Sequence, residues 1–205
     1  MEVKEAYLER GGSLIEVLVM LGVIGVVALA MMNLLQAQHQ QIRVLSQKQE
    51  IIDFKNLVLQ NALRPEVCSW QLKSTGATLD LSAATSETHP SASVINLPAL
   101  YQGVDVNSAK LAEVGNTLPG SLTGMVVQSI QFKGVYATGN PNEYRGFLEV
   151  VFEPASLAMI HKPVRVSQIV RVMPGDPINA KRVETCLGHG LGAATVTSFA
   201  GASVP

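Results

Sequence analysis

Charge, aromatic side chains and cysteine are all scarce in this sequence. Of its 205 residues, 15% are charged, 5% are aromatic and two are cysteines, and the formal net charge is −1. Nucleic acid is not an expected partner, because a surface that binds phosphates needs an excess of lysine and arginine. A structural metal site needs clustered cysteine or histidine, and neither Cys68 nor Cys186 has such a neighbour. We therefore expect no bound metal.

Sequence motifs of catalysis are also missing. The chain has no Gly-rich phosphate loop, no GxSxG and no HExxH. Its histidines are far apart and share no spacing: His39, His89, His161 and His189. Asp105-Val106-Asn107 and Asp176 offer oxygen ligands for calcium, but carboxylates are too few for a dedicated site, and turn chemistry explains both motifs. We predict that the chain is not an enzyme and holds no cofactor.

One long apolar run contrasts with this scarcity of charge. Val17–Leu35 contains nineteen uncharged residues, of which Asn33 is the only clearly polar one. With residues 13–15 before it, the run reaches the length of about 20 residues that a helix needs to cross a bilayer. A secretory signal peptide is the alternative, but it has a shorter apolar region and a cleavage site after that region. The sequence therefore predicts a membrane anchor that stays in the mature protein.

A carboxylate lies directly before this apolar run. The chain enters the run through Arg10-Gly11-Gly12-Ser13-Leu14-Ile15-Glu16. An acidic side chain in hydrocarbon costs roughly 2.5–3.5 kcal/mol on the lenient insertion scale, so it is kept where it has a partner and a role. A short hydrophilic leader, a Gly-Gly junction, Leu-Ile-Glu and the apolar run together resemble the cleavage signal of type IV pilins and pseudopilins.

The resemblance implies both processing and a way of assembling. In that family a dedicated peptidase cuts after a glycine and the glutamate is the fifth mature residue, which implies a cut between Gly11 and Gly12. It also implies that Glu16 pairs with the terminal amine of a neighbouring subunit. The first mature residue of the family is usually an N-methylated Phe or Met, so methylation of Gly12 and a cut after Gly12 stay open.

The same resemblance implies a location and a set of partners. The chain would cross the inner membrane once with its head in the periplasm, and would enter a pilus or pseudopilus after assembly. Its partners would be prepilin peptidase, an assembly platform in the inner membrane and other pilin or pseudopilin subunits.

The helix of the anchor is predicted to continue beyond the membrane. Gln36–Arg64 has no glycine or proline, and Pro65 ends the helix because the residue before a proline is pushed out of the helical region. Its apolar doublets recur with a spacing that keeps them on one face: Val44-Leu45, Ile51-Ile52, Val58-Leu59 and Ala62-Leu63. This face belongs either to a coiled coil or to a helix covered by a sheet. We favour the sheet, because strand-like sequence follows.

The head shows three segments in which apolar and polar residues alternate. Residues 125–136 place Val126, Ile130, Phe132 and Tyr136 on one face. Residues 146–152 and 163–172 alternate in the same way, and residues 139–142 form a turn between the first two segments. These patterns predict an antiparallel meander with one buried face. Residues 73–124 indicate short strands and loops of undetermined order.

The two cysteines are predicted to form a disulfide if the head faces an oxidising compartment. The bridge would join Cys68, just past the helix end, to Cys186 after the sheet. Many major pilins place both cysteines near the C-terminus, so this layout indicates a minor pilin or a pseudopilin.

Together these features predict an α+β protein in which a long N-terminal helix packs against an antiparallel sheet, as in pilins. The predicted function is that of a structural subunit of a type IV pilus or a type II secretion pseudopilus. The alternative is a single-pass anchored domain, with a binding or scaffold role, that does not assemble. The predicted parts are a cleaved leader (1–11), a transmembrane half-helix (12–35), an amphipathic half-helix (36–64), a β-rich head (65–186) and a flexible tail (187–205).

Overall fold

The computed structural model describes residues 5–153 and 163–188, and it describes side chains from residue 15 onward. The chain divides into two compact units, Met1–Lys48 and Gln49–Pro205. Residues 5–48 of the first unit belong to a helix, α1, that continues to Leu57 in the second. The second unit contains all the strands, so it is the head predicted from the sequence.

Helix α1 spans Glu5–Leu57 without a break. A π-helical turn, Val58–Ala62, follows it. The N–H of Leu63 donates a hydrogen bond to the carbonyl of Val58 and closes that turn. The prediction that the anchor helix runs on uninterrupted and stops before Pro65 is confirmed. Arg64 leaves the helical region, with ψ at 138°, as a residue before proline is expected to do.

A second helix, α2, begins at the proline that ends the first and spans Pro65–Ser74. Proline is favoured at a first helical position, because its missing N–H would have no partner there and its φ is already helical. The sequence predicted only the stop at this position. Cys68 therefore lies within α2 and not in a segment after the last helix.

Within residues 5–153 and 163–188, eight strands form two antiparallel sheets. The strands are β1 (Thr78–Leu79), β2 (Ile95–Asn96), β3 (Ala99–Tyr101), β4 (Lys110–Glu113), β5 (Val127–Ala137), β6 (Glu143–Phe152), β7 (Val164–Val172) and β8 (Lys181–Gly188). The larger sheet has the order β1-β8-β7-β6-β5-β2, and β3 pairs with β4 separately. Strands β5, β6 and β7 are the predicted meander, which is confirmed.

The strand register within the meander shows that the predicted burial of one residue, Val126, was wrong. Val126 was expected on the buried face, but it is only half-buried, and Val127 is fully buried in its place. The cause is a register shift between Val127 and Ser129 where β5 pairs with β6. A bulge of this kind adds one residue to one strand, so the alternation before it moves by one position.

The part of α1 in the second unit packs on this sheet. Phe54 meets Phe152 of β6 edge to face, with ring centroids 5.5 Å apart, and Val58 and Ala62 are buried further along the same face. Ile52, the second residue of its doublet, stays exposed. The sheet-covered alternative is therefore confirmed, and the molecule has the predicted α+β arrangement of a long helix on an antiparallel sheet.

The predicted tail begins inside a strand. Leu187 and Gly188 are the last residues of β8. Residues 189–205 lie outside the described residues, as does His161.

The ring of Phe132 rests against β6 where Gly146 has no side chain. A Cβ built on Gly146 would lie 2.4 Å from Cζ of Phe132. We expect Gly146→Ala to lower the free energy of unfolding by about 1–3 kcal/mol, because a well-packed core must shift to accept the methyl group. Chemical denaturation of the full chain in detergent measures this.

Gly175 is the matched control, because a Cβ there has no atom within 4 Å. Gly175→Ala should leave the unfolding midpoint unchanged. Equal losses in the two variants would contradict the assigned packing of Phe132.

Candidate membrane anchor and assembly site

Helix α1 carries an apolar surface that its own chain does not cover. The large apolar side chains from Ile15 to Leu35 each expose between 49% and 68% of their surface. Among the described residues one helix is long and apolar enough to cross a membrane, and its most apolar window has no buried residue. Surface of this extent is consistent with a membrane anchor, because exposing it to water is strongly unfavourable.

Glu16 is the only residue with a formal charge between Gly11 and Ile42. Its side chain is exposed on α1, and the backbone at Gly11 and Gly12, the predicted cleavage site, also belongs to the helix. Glu16 therefore lies one turn beyond the predicted junction. After a cut at that junction, a free amine and this carboxylate would both lie in the first turns of the mature helix.

Small residues interrupt the apolar surface of α1 at Gly22 and Gly25. A Cβ at either position would meet no atom of the chain within 4 Å. The fold of a single chain therefore does not require these glycines. Small residues in membrane helices let neighbouring helices approach closely, so the contact they would serve is intermolecular.

The disulfide joins Cys68 of α2 to Cys186 of β8, with the two Cα atoms 5.9 Å apart. Both cysteines are buried, and the described residues contain no free cysteine. Ser69 supports the junction, since its Oγ accepts the N–H of Cys186 at 2.8 Å. Helix α2 therefore covers this edge of β8 through a covalent bond and a hydrogen bond, and the predicted pairing is confirmed.

Glu149 is a buried carboxylate on the face of the sheet that points away from α1. It is 4% exposed and lies between Lys133 of β5 and Arg165 of β7, with Lys133 Nζ 2.5 Å from Oε1 and Arg165 Nε bonded to Oε2. Burial raises the pKa of Glu149, but its bonds to the two cations outweigh burial and leave the pKa below its ordinary value. The triad links the three strands of the meander.

Glu50 holds a loop of the head against α1. Its carboxylate accepts hydrogen bonds from the hydroxyl groups of Ser121 and Thr123, both at 2.7 Å, and from the N–H groups of Leu122 and Thr123, at 3.0 and 3.1 Å. Burial raises the pKa of Glu50, but these bonds outweigh burial and place it below its ordinary value. The single side chain of Glu50 thereby joins α1 to Ser121, Leu122 and Thr123.

The two motifs considered for calcium are occupied by turn contacts. Asp105 Oδ1 accepts the backbone N–H of Asn107 at 2.9 Å. Asp176 accepts two bonds from the guanidinium of Arg182 and one from its backbone N–H, which lower the pKa of Asp176 to about 2. In the part of the chain that the structure describes, no three His, Cys, Asp or Glu residues form a group able to hold a metal.

An open groove of about 570 Å³ lies at the end of the sheet, beside the turn between β5 and β6. Two of its three charged side chains pair with each other, since Arg171 lies 2.8 Å from Glu143, which also accepts the amide of Asn140 at 2.8 Å; Glu184 is the third. These contacts stabilise the end of the hairpin formed by β5 and β6. His39 and His89 are exposed elsewhere, so the described histidines do not meet this groove.

No protein-family model, no curated protein and no solved structure matches this chain.

Sequence reasoning missed the buried carboxylate of Glu149 and the half-buried carboxylate of Glu50. The single acidic residue in an alternating strand, with a cation at a matching position in the strands on either side, was a usable signal for the triad of Glu149. Glu50 gave no such signal, because its partners lie more than 70 residues away in an uncharged loop.

The triad predicts a stability effect with a defined pH dependence. Glu149→Gln leaves Lys133 and Arg165 without their carboxylate. It should lower the free energy of unfolding by about 1–3 kcal/mol at neutral pH. We expect the lower end of this range, because both cations reach water. The folded pKa lies below the ordinary value of 4.5, so this contribution is present above that pH and is lost as the pH falls through the folded pKa.

Denaturation of both proteins at several pH values measures this difference. Glu113→Gln is the control, because Glu113 is exposed and pairs only with near neighbours, Lys110 and Asn116. It should show no measurable change. A difference for Glu149→Gln that persists unchanged in acid would contradict the charge-based account.

Proposed function

We propose that this chain is a structural subunit of a type IV pilus or of a type II secretion pseudopilus, made as a precursor and assembled through helix α1. The observation that carries the proposal is the uncovered apolar stretch of α1. Its only formal charge between Gly11 and Ile42, that of Glu16, follows a Gly-Gly junction at the spacing of a prepilin signal. The long helix on an antiparallel sheet agrees with that class of subunit.

The proposed assembly uses the uncovered surface twice. In the membrane the apolar residues of α1 lie in lipid, and in the filament the same residues pack against α1 of neighbouring subunits. Removal of residues 1–11 gives Gly12 a free amine, and Glu16 of one subunit pairs with the amine of another. A buried pair of opposite charges adds little net stability, but it defines the register in which two helices meet.

The apolar helix and the disulfide support the proposed location. A buried disulfide persists in an oxidising compartment, and the periplasm is one. We therefore place the head in the periplasm and the anchor in the inner membrane before assembly. Prepilin peptidase and an inner-membrane assembly platform are then the partners, and the cysteine layout favours a minor subunit over a major one.

The N-terminal peptide of the protein from native membranes tests the processing step. Mass spectrometry should find a terminus at Gly12, with or without one methyl group. A terminus at Met1 would contradict the proposal and would favour the alternative, a single-pass anchored domain that does not assemble.

Glu16→Val tests the assembly step separately. The variant should be cleaved, inserted and folded like the native protein, but its incorporation into filaments should fall below detection, because the register-defining pair is lost. Immunoblotting of sheared filaments against the membrane fraction measures this.

Val17→Ile is the matched control, since it changes the adjacent residue and keeps the charge. It should assemble normally. Normal assembly of Glu16→Val would exclude this role for Glu16, even if the terminus is at Gly12.

A further inference from the structure

The loop between β4 and β5 is anchored in the core at both ends. Leu118 and Met125 are buried, at 6% and 0% exposure, and the N–H of Leu118 donates to the carbonyl of Met125 at 2.8 Å. The ends of the loop are therefore held by the same apolar burial that holds the sheet.

The tip of the loop, Gly120–Gly124, is held in a different way. Leu122, its one large apolar side chain, is 94% exposed, so burial does not anchor it. Gly120 and Gly124 have φ values of 77° and 71°, in the region that side chains disfavour, so the tip turns sharply at each end. Its hydrogen bonds to α1 all end on Glu50.

Those bonds depend on the charge of Glu50. An ionised carboxylate only accepts hydrogen bonds, and each oxygen here accepts two. Protonation turns one oxygen into a donor and removes the charge that strengthens the remaining bonds. A hydroxyl group can rotate to accept from that oxygen, but an N–H group cannot, and the hydroxyl that accepts no longer donates to Glu50. At least one of the N–H or hydroxyl groups then loses its acceptor.

Charged side chains near Glu50 do not replace the hydrogen bonds that hold the loop tip to its carboxylate. Residues 115–130, which include the whole loop, carry no charged side chain. On α1 the nearby charge on the same side is Asp53, three residues on, and the end of β6 contributes Glu153, whose backbone N–H bonds to Val126. Both are acidic, so neither provides a positive charge that would attract the ionised carboxylate of Glu50.

We propose that Glu50 is a pH-sensitive latch: its ionised carboxylate holds the loop tip Gly120–Gly124 against α1, and its protonation releases the tip while the loop ends stay in place. Release changes the presentation of Leu122, the most exposed large apolar side chain among the described residues of the head. The latch is closed at neutral pH and opens as the pH falls through the folded pKa of Glu50, which lies below its ordinary value. This inference does not depend on the proposed function.

Amide hydrogen exchange of the full chain in detergent micelles, read by NMR, tests the latch. At about pH 7 the protection factors of Leu122 and Thr123 should fall about tenfold or more in Glu50→Gln, while amides of β6 and β7 keep theirs. In the native protein the same two amides should lose protection, after correction for intrinsic rates, as the pH falls below 4.5 and through the folded pKa of Glu50.

Asp53→Asn is the matched control, because Asp53 is an exposed carboxylate on the same helix whose bond is to Gln49. It should leave Leu122 and Thr123 protected. The latch is overturned if Glu50→Gln keeps their protection, if Asp53→Asn loses as much, or if amides throughout the sheet lose protection with the tip, since Glu50 would then support the whole head.

Discussion

Apolar surface that must be removed from water is the constraint on which this structure depends. Between Val17 and Leu35 helix α1 is apolar on all sides and leaves that surface open. From Gln49 onward only one side is apolar, and the sheet covers it through contacts such as Phe54 on Phe152. One helix thus serves two environments, because its sequence changes from uniformly apolar to amphipathic along its length.

The head is organised around that second, one-sided part of the helix. Its inner face is largely apolar, although Gln168 of β7 is fully buried there and its Oε1 has no hydrogen-bond partner among the described residues. Three other polar groups are paired: Glu149 receives two cations, Glu50 receives four donors, and Ser69 satisfies the edge of β8 beside the disulfide. These three follow one rule, that a charge or backbone N–H withdrawn from water is stable when it has a partner. Their partners explain why Glu149, which is buried, and Glu50, which is half-buried, both have pKa values below the ordinary one.

Much of the fold could be predicted because its signals are local. The alternation that marks β5, β6 and β7 and the unbroken apolar run of α1 can be read from neighbouring residues. Two local errors also have local causes. Pro65 both ends one helix and begins another, and α2 was missed because Pro65 was interpreted only as the end of a helix. A bulge after Val127 moved the buried position away from Val126. The motif of Gly11, Gly12 and Glu16 was visible in the sequence for the same reason, and its role stays a prediction.

The sequence by itself determined the long apolar helix, the meander and the amphipathic side of the helix, because hydropathy and its period act between residues close in the chain. It also predicted the joining of Cys68 to Cys186, the two cysteines of the chain. Only the tertiary structure decided the partners of Glu50, which lie 71 to 73 residues away. Such pairs form where the topology of the sheet brings distant segments together. Their energies depend on burial and on the partner, neither of which is encoded next to the residue itself.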